Sequence, residues 1–353
     1  MSPKILLTGG TSLLGNNVLE LLLRKGYAVN VLVRHPEKIV TDLEPYDGQC
    51  TVMVGNITDY GDLKRAASGC DAVINCAGDT SMSHRNKSDY LPINRDLCKL
   101  LRRVALDQHL ETLVHVSTCN TIGYGTDARP ADEQSPMEAP FTKSHYAQSK
   151  LEGEKAVFGD TAVGSPAAKP SINGNRLKVV VINPGYIIGK YDVKPSSGKL
   201  LAAVWRRRIA FVPPGGKNFV GAKTVAEAVV SSLSRGKTGT RYLATGANLS
   251  FAQFLQIAAY EGGYRQTTIT IPPWLCKVVG MLGNAFEHIG MEVSFTSRNI
   301  DQLLVQECYS NKRMVEELGV TPQPIGEAVR EFAEWTYGSR QKRHNTANHG
   351  TKQ

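Results

Sequence analysis

The sequence predicts an α/β fold with a doubly wound parallel sheet, followed by a smaller, mostly helical C-terminal substrate domain. Three observations predict it: apolar β-rich runs recur along the first half of the chain, helical patterns separate them, and a glycine-rich turn directly follows the first run. Nearly continuous apolar runs are typical of parallel strands buried on both faces. Right-handed β-α-β connections between such strands produce a doubly wound sheet.

The elements can be assigned in chain order. The predicted strands span residues 5–7, 29–33, 52–54, 72–74, 113–116 and 179–182. The first helix ends at Lys25-Gly26, a cationic last turn followed by a glycine cap. After Gly189 the alternation weakens. We therefore predict a nucleotide-binding domain at 1–185 with contributions from 215–246, and a substrate-binding domain at 186–214 and 247–336.

Composition is that of an ordinary globular protein apart from its charge. The 353 residues are 41% apolar and 21% charged, and 41 Lys and Arg against 32 Asp and Glu give a net charge of +9. Such a balance favours an anionic partner, which includes nucleic acid, a membrane surface or a phosphorylated small molecule.

The sequence argues against several classes of protein. No run approaches the roughly 20 apolar residues of a membrane-spanning helix, and no export signal opens the chain, so we expect a cytoplasmic protein. The seven cysteines contain no C-x-x-C pair, which argues against a metal site or a disulfide framework. Residues 159–176 are predicted to be a flexible insertion and 337–353 a disordered basic tail. The tail lacks interleaved aromatic residues, so we expect no nucleic-acid partner.

A candidate phosphate-binding turn lies between the first strand and the first helix. Backbone N–H groups of such a turn and the helix N-terminus face a pyrophosphate, and a glycine permits close packing of helix on strand. Ser12 stands at the middle position, where a glycine is usual. The residues assigned to this turn are Thr8, Gly9, Gly10, Ser12, Leu13, Leu14 and Gly15.

The end of the second strand distinguishes between dinucleotides. A carboxylate at this position binds the ribose hydroxyls of NAD, whereas this strand ends in Arg34. An arginine can pair with the 2′-phosphate of NADP through two hydrogen bonds. A solvated arginine at a strand end is the alternative interpretation, and we favour NADP(H) over NAD(H).

A candidate catalytic group combines Tyr146, Lys150 and the Ser117-Thr118 pair. Tyr146 and Lys150 are four residues apart and share one helix face. A neighbouring ammonium favours the phenolate, so we expect the pKa of Tyr146 to fall below its usual value of about 10. Ser117 and Thr118 lie at the carboxyl end of the fifth strand, the edge where ligands of open α/β sheets bind. Taken singly, each feature also fits an exposed helix pair or a local turn hydrogen bond.

In this order, the segments 8–15, 75–78, 117–118 and 146–150 resemble the extended short-chain dehydrogenase/reductases of the NAD-dependent epimerase/dehydratase family. Segments 33–36, 214–220 and 241–243 are similar to the dihydroflavonol-reductase-like and 3β-hydroxysteroid-dehydrogenase-like branch. The resemblance covers about residues 3–335. It implies a Rossmann domain, NAD(P) chemistry, a homodimer and a triad of Thr118 (with Ser117 adjacent), Tyr146 and Lys150. The cofactor-binding residues it implies beyond the glycine turn and Arg34 are Asn56, Ile57, Cys76, Ala77, Gly78, Asn94, Tyr146, Lys150, Pro184, Gly185, Tyr186 and Ile187.

The preferred hypothesis is an NADP-dependent oxidoreductase that interconverts a carbonyl and an alcohol on a small hydrophobic substrate, with Tyr146 as general acid or base. The alternative is an NAD-dependent nucleotide-sugar epimerase, whose diphosphate could be held by Arg206-Arg207-Arg208 if these do not simply form a basic helix face. A dehydratase is disfavoured because Cys119-Asn120 replace the Asp-Glu pair that such enzymes carry after the hydroxyl residue. A non-catalytic scaffold is disfavoured because Tyr146 and Lys150 are both present.

The sequence of the predicted substrate-binding domain indicates its structure and role less clearly than the rest of the chain. The pattern of residues 271–283 predicts an apolar helix with proline in its first turn. We expect this helix to pack in the second domain. The alternatives are that it lines a lipophilic entrance for substrate or touches a membrane surface. Tyr186, Trp205, Phe211 and Trp274 are candidates for lining an apolar pocket, with core packing as the alternative.

Overall fold

A seven-stranded parallel sheet forms the centre of the nucleotide-binding region, with six strands between residues 4 and 184 and a seventh at residues 240–244. The computed structural model describes residues 2–159, 177–193 and 198–338, so the predicted insertion and basic tail lie almost entirely outside the described residues. The strands in chain order are β1 (Lys4–Thr8), β2 (Ala28–Val33), β3 (Cys50–Val54), β4 (Ala72–Asn75), β5 (Thr112–Val116), β6 (Lys178–Pro184), β7 (Tyr186–Ile188), β8 (Ile209–Val212), β9 (Gly216–Gly221), β10 (Thr240–Ala244), β11 (Ala247–Ser250) and β12 (Thr267–Thr270). All six predicted strands are confirmed.

The order of strands creates a crevice between β1 and β4. The sheet runs β10-β6-β5-β4-β1-β2-β3, and every neighbouring pair is parallel. After β3 the chain crosses to the other side of β1, so the connections that follow β1 and β4 leave in opposite directions. Ligands of open α/β sheets bind outside the carboxyl ends of the strands at such a reversal.

Helices cover both faces of this sheet. The helices are α1 (Leu13–Arg24), α2 (Tyr60–Ala67), α3 (Leu97–Asp107), α4 (His145–Phe158), α5 (Lys199–Val204), α6 (Ala222–Arg235), α7 (Phe251–Glu261), α8 (Pro273–His288), α9 (Ser297–Ile300) and α10 (Ile325–Ala333). One face of the sheet packs against α1 and α6 and the other against α2, α3 and α4, which buries apolar side chains from both sides of the strands. Helix α1 ends at the predicted position, with Gly26 at φ +80°.

The C-terminal region combines helices with two small sheets. Strands β11, β9 and β7 form one sheet, and β12 pairs with β8 in the other. Aromatic residues of this region fill a separate core in which Phe219 stacks on Phe254 with 3.8 Å between ring centroids. Segment 215–246, predicted to contribute to the nucleotide-binding domain, is therefore shared between the two regions. Strand β9 joins the C-terminal sheet, whereas α6 and β10 pack with the seven-stranded sheet. Within the described ranges, no helix has the length and apolar character needed to cross a membrane.

Candidate active site

The glycine turn after β1 lies against the loop after β4. Gly9 adopts φ +75°, and a Cβ atom built on it would lie 2.4 Å from the backbone nitrogen of Ala77. A Cβ on Gly15 would lie 2.0 Å from the carbonyl oxygen of Gly9. Any larger side chain would therefore push the turn away from the crevice. The turn directs its backbone and the N-terminus of α1 to the crevice, which is the arrangement that binds a pyrophosphate.

Ser12 replaces the usual middle glycine without loss of the turn. Its hydroxyl donates to the carbonyl oxygen of Gly9 at 2.8 Å and accepts from the backbone N–H of Gly15 at 2.9 Å. Ser12 is thus the N-cap of α1. The same hydroxyl closes the turn and satisfies one of the free N–H groups of the helix.

A buried polar group joins the loops on the two sides of the crevice. The Asn75 side-chain oxygen accepts from the Thr8 hydroxyl at 2.8 Å and from the Ala77 N–H at 3.0 Å, and the Asn75 amide nitrogen lies 3.0 Å from Nδ1 of His115. Burial and the charge of Lys150 hold the pKa of His115 well below 6.5. A neutral His115 accepts the amide proton through Nδ1, so Asn75 is fixed and holds both loops in register.

Arg34 follows β2 directly and is exposed. It forms no ion pair with any residue in the described ranges, whereas the nearby Glu37 pairs with His35 at 3.2 Å. The guanidinium is therefore free to meet an anion at the edge of the crevice. Asn56, after β3, is less well suited to its expected role, because its side-chain oxygen already accepts from the backbone and hydroxyl of Thr58 at 3.1 and 2.9 Å. A contact with adenine would use the Asn56 amide nitrogen.

Tyr146 and Thr118 meet at the carboxyl end of β5. The Thr118 side chain lies near the phenol, and the centroid of the Tyr146 ring lies 6.3 Å from that of Tyr90. Burial raises the pKa of Tyr146 above its ordinary value, and Thr118, which favours the phenolate, offsets part of that increase. The expectation of a lowered pKa is therefore wrong for this structure, because desolvation outweighs all favourable contacts of the phenolate. The phenol is protonated at neutral pH.

Lys150 lies on the same face of α4, one turn after Tyr146. Its ammonium is buried, donates to the carbonyl oxygen of Val116 at 2.8 Å and lies near the loop after β4, where a Cβ on Gly78 would be 3.5 Å away. Burial lowers the pKa of Lys150, and Cys98 and Glu154 oppose that change.

Asn94 fixes the loop after β4 against α4. Its side chain is buried and bonds both backbone groups of Asp79, accepting from N–H at 2.9 Å and donating to the carbonyl at 3.0 Å. It also donates to the hydroxyl of Ser149 at 2.9 Å. Asn94 therefore positions the crevice wall: both N–H groups of its amide are used, and its side-chain oxygen keeps one further acceptor position.

Ser117 does not join the catalytic group. Its hydroxyl donates to the buried carboxylate of Glu154 instead of facing Tyr146. Ser117 is therefore not available to Tyr146 in this structure, which leaves Thr118 as the hydroxyl residue near the phenol. Strand residues alternate in direction, so adjacent residues at a strand end cannot both face the same site.

Glu154 is the residue near the site that the sequence interpretation missed. It accepts hydrogen bonds from Ser117, Thr121 and Asn183, and it pairs with Arg241 at 2.6 Å. Its spacing in the sequence could have indicated it, because Tyr146, Lys150 and Glu154 recur every four residues along one face of α4.

The segment after β6 closes the far side of the site. A Cβ on Gly185 would lie 2.6 Å from the carbonyl oxygen of Asn218 in β9, so the chain can pass this point only as glycine. Tyr186 then packs its ring on Phe219 at 5.5 Å between centroids. Pro184 and Ile187 flank this close approach of β6 and β7 to β9.

The four aromatic residues expected to line one pocket are dispersed. Phe211 is 67% and Trp274 66% exposed, and Trp205 stacks on Tyr337 within the C-terminal core. Tyr186 alone of the four lies beside the site. The expected basic helix face at residues 206–208 is also wrong, since α5 ends at Val204 and the three arginines form an exposed loop before β8.

The fold and the site together define an NAD(P)-binding enzyme. The model of the NAD dependent epimerase/dehydratase family matches residues 5–242. The chain is 26% identical over 346 residues, 95% of each chain, to a putative dihydroflavonol 4-reductase of Synechocystis, and 24% identical over 336 residues to sterol demethylase protein B of Methylococcus capsulatus, covering 94% of this chain and 97% of the relative. The UDP-glucose 4-epimerase of Thermotoga maritima, solved with UDP-glucose, has the same fold at a TM-score of 0.72 and 16% identity, with 96% of this chain and 99% of that chain covered.

This protein belongs to the NAD-dependent epimerase/dehydratase family of extended short-chain dehydrogenase/reductases. Members of this family are NAD(P)-dependent oxidoreductases, epimerases and dehydratases acting on CH–OH groups.

Proposed function

We propose that the protein is an NADP-dependent reductase that converts a carbonyl group of a small hydrophobic substrate to an alcohol, and catalyses the reverse reaction. The observation that carries this proposal is the grouping of Tyr146, Thr118 and Lys150 at the carboxyl end of β5. Arg34, at the end of β2, stands where an acid would favour NAD. The glycine turn, Gly78 and Arg34 would hold the dinucleotide.

Tyr146 acts as the general acid in the reductive direction. A phenol is protonated at neutral pH, so Tyr146 can donate a proton to the substrate oxygen as negative charge develops there, and its phenolate takes the alcohol proton in the reverse direction. Thr118 orients the phenol and stabilises the phenolate left after proton transfer. Lys150 places a positive charge one helical turn away, and bound nicotinamide supplies the hydride when the carbonyl is reduced.

The substrate side of the site favours an uncharged compound. Lys217 of β9 forms a buried ion pair with Glu307, and Arg298 pairs with Glu287. These cations are neutralised by their partners, which leaves them poorly suited to a nucleotide diphosphate. The relatives named as a dihydroflavonol reductase and a sterol demethylase protein fit the same conclusion.

Cofactor titration separates this proposal from the nucleotide-sugar epimerase. Purified protein is titrated with NADPH and NADH while cofactor fluorescence is followed, and the cofactor retained through purification is identified. Preference for NADPH with ready exchange, together with consumption of NADPH in the presence of hydrophobic ketones, supports the reductase. Tightly retained NAD⁺ and turnover of a UDP-sugar without net redox change would overturn it.

A further inference from the structure

Helix α8 exposes apolar side chains around most of its circumference. Only a narrow stripe containing Cys276, Gly280 and Gly283 is buried, and a Cβ on Gly283 would lie 2.2 Å from the carbonyl oxygen of Phe295. On the remaining surface, Trp274 is 66% and Met281 59% exposed. A helix that is apolar on nearly all sides is expected in a protein core or in contact with lipid, not in water.

Strands β8 and β12 extend this exposed surface. Phe211 and Ile269 are register partners in the two strands, and both are exposed, as is Ile209. Only two residues separate the end of β12 from the start of α8. The exposed apolar residues of β8, β12 and α8 are termed here the apolar face. A continuous exposed apolar area of this kind marks an interaction surface.

Arginines border the apolar face. Arg206, Arg207 and Arg208 precede β8 and Arg265 precedes β12, all of them exposed, and the two strand starts are joined by the hydrogen bond from Thr267 N–H to the Arg208 carbonyl at 2.8 Å. Strand β8 is four residues long. At about 3.3 Å per residue, the arginines at its start therefore lie within roughly 13 Å of its other end.

The acidic residues of this region are largely neutralised. Glu287 of α8 pairs with Arg298, Glu261 at the end of α7 pairs with Arg330, and Lys277 adds a further cation on α8. Glu292, four residues beyond the end of α8, is the next acid along the chain. The border of the apolar face therefore carries net positive charge.

We propose that the apolar face binds the surface of a membrane that contains anionic phospholipids. In this arrangement α8 lies in the plane of the interface with Trp274 and Met281 inserted, and the arginines at the starts of β8 and β12 contact the head groups. The 16 residues of α8 span about 24 Å, less than the roughly 30 Å hydrocarbon core of a bilayer, so the helix lies on the membrane. Charge complementarity selects a lipid surface over a second copy of this chain, because two positively charged borders would repel each other.

Helix α9 connects α8 to a loop beside the candidate active site. Arg298 of α9, which packs on α8, donates to the carbonyl oxygen of His84, and Asn299 donates to that of Met82 at 2.8 Å. Tyr90 binds the same loop through the Ser81 carbonyl at 2.6 Å and lies beside Tyr146. The helix that we propose to bind the membrane is therefore linked to the wall of the site through α9. The binding itself does not depend on the proposed reductase activity.

Vesicle co-sedimentation of the full chain tests this inference without cofactor or substrate. Vesicles of phosphatidylcholine with phosphatidylglycerol are compared with vesicles of phosphatidylcholine alone, at low and high salt. We expect binding to the anionic vesicles that weakens as salt rises. The double variant Trp274→Ser/Met281→Ser should lose at least about tenfold in partitioning, whereas Tyr260→Ser, at an exposed aromatic residue of α7, should not.

The charge contribution is tested in the same assay. Arg207→Gln/Arg208→Gln should weaken binding to anionic vesicles by about tenfold or more, and Lys64→Gln/Arg65→Gln on α2, which removes the same charge, should have little effect. Absence of binding to anionic vesicles would overturn the inference, as would equal losses in the matched controls. Light scattering gives a further check: a dimer that Trp274→Ser/Met281→Ser converts to monomer would show that a second copy covers the face.

Discussion

Glu154 and Arg241 form an ion pair behind the candidate catalytic residues, with 2.6 Å between the carboxylate and the guanidinium. The Glu154 side chain is fully buried and that of Arg241 is 11% exposed. Because Glu154 lies one turn after Lys150 on α4 and Arg241 lies in β10, the pair holds the catalytic helix against the far edge of the sheet. The same carboxylate accepts from Ser117 and Asn183, so it also fixes the ends of β5 and β6.

Replacement of Glu154 by Gln should destabilise the fold. The variant leaves a buried guanidinium without its counter-charge, and such a loss costs about 3–5 kcal/mol of the free energy of unfolding. Urea denaturation measures it. Glu152→Gln is the matched control, since Glu152 pairs with Lys87 at a partly exposed position and should cost at most about 1 kcal/mol. Similar losses in the two variants would contradict the role assigned to the Glu154–Arg241 pair.

Tyr146→Phe should abolish turnover while cofactor binding persists. Removal of a general acid lowers kcat by about 10²- to 10⁴-fold, and the ring that remains keeps its packing against Tyr90. The rate of NADPH consumption and the NADPH dissociation constant are measured together. Tyr90→Phe provides the control, because the Tyr90 hydroxyl binds the Ser81 carbonyl and takes no part in proton transfer. Full activity in Tyr146→Phe would eliminate the mechanism.

His115 should make stability fall in mildly acidic solution. Its pKa is about 6.5 in the unfolded chain and well below that in the folded protein, where burial is the main cause and Lys150 adds to it. Below about pH 6.5 the unfolded state therefore binds a proton that the folded state does not, and stability falls by up to about 1.4 kcal/mol per pH unit from this group. Above that pH His115 contributes no pH dependence.

Urea unfolding between about pH 7.5 and about pH 5 measures this slope. His115→Asn retains a side-chain oxygen toward Asn75 but cannot be protonated, so its stability should decline less steeply than that of the wild type. His288→Asn, at an exposed position on α8, should leave the slope unchanged. Parallel slopes for wild type and His115→Asn would show that His115 is protonated as easily in the folded state as in the unfolded state.

Arg34→Ser should change the choice of cofactor. Loss of a charge-assisted hydrogen bond to the 2′-phosphate costs about 1.5–3 kcal/mol, which corresponds to roughly 10- to 100-fold weaker NADPH binding. NADH lacks this phosphate, so its affinity should change little. Lys38→Ser removes a nearby exposed cation and serves as the control. If NADPH and NADH affinities respond equally to Arg34→Ser, Arg34 does not recognise the 2′-phosphate.

Local sequence patterns were sufficient to predict the fold of the nucleotide-binding region. The runs at residues 5–7 and 72–74 are parallel strands as predicted, because apolar runs between helices leave few other ways to bury their side chains, and the structure places the two side by side. The glycine turn could be placed for a similar reason: the close approach of Gly9 to Ala77 requires a residue without a side chain. The shared helix face of Tyr146 and Lys150 followed from their spacing, whereas their assignment to a catalytic site also needed the strand-end residues and the family resemblance.

The errors arose where an interaction joins distant parts of the chain. Ser117 and Thr118 are equivalent as sequence, and only the position of Glu154 on α4 shows which hydroxyl is already bonded. The predicted direction of the Tyr146 pKa shift was wrong for a related reason, since spacing reveals a lysine one helical turn away but not the burial that raises the pKa. Trp274 and Phe211 fit a pocket by composition, yet both are exposed.

The sequence by itself determined the parallel sheet, the glycine turn and the family, because apolar runs, a glycine-rich turn after a strand and an ordered set of motifs can be recognised without knowing which distant segments meet. The tertiary structure decided which hydroxyl contacts Tyr146, how Glu154 connects three strands, and that α8 presents its apolar side chains outward. These features depend on burial and on charges brought together from distant segments. Burial is a property of the packed molecule, and the free energies that set a pKa or expose a surface change with it.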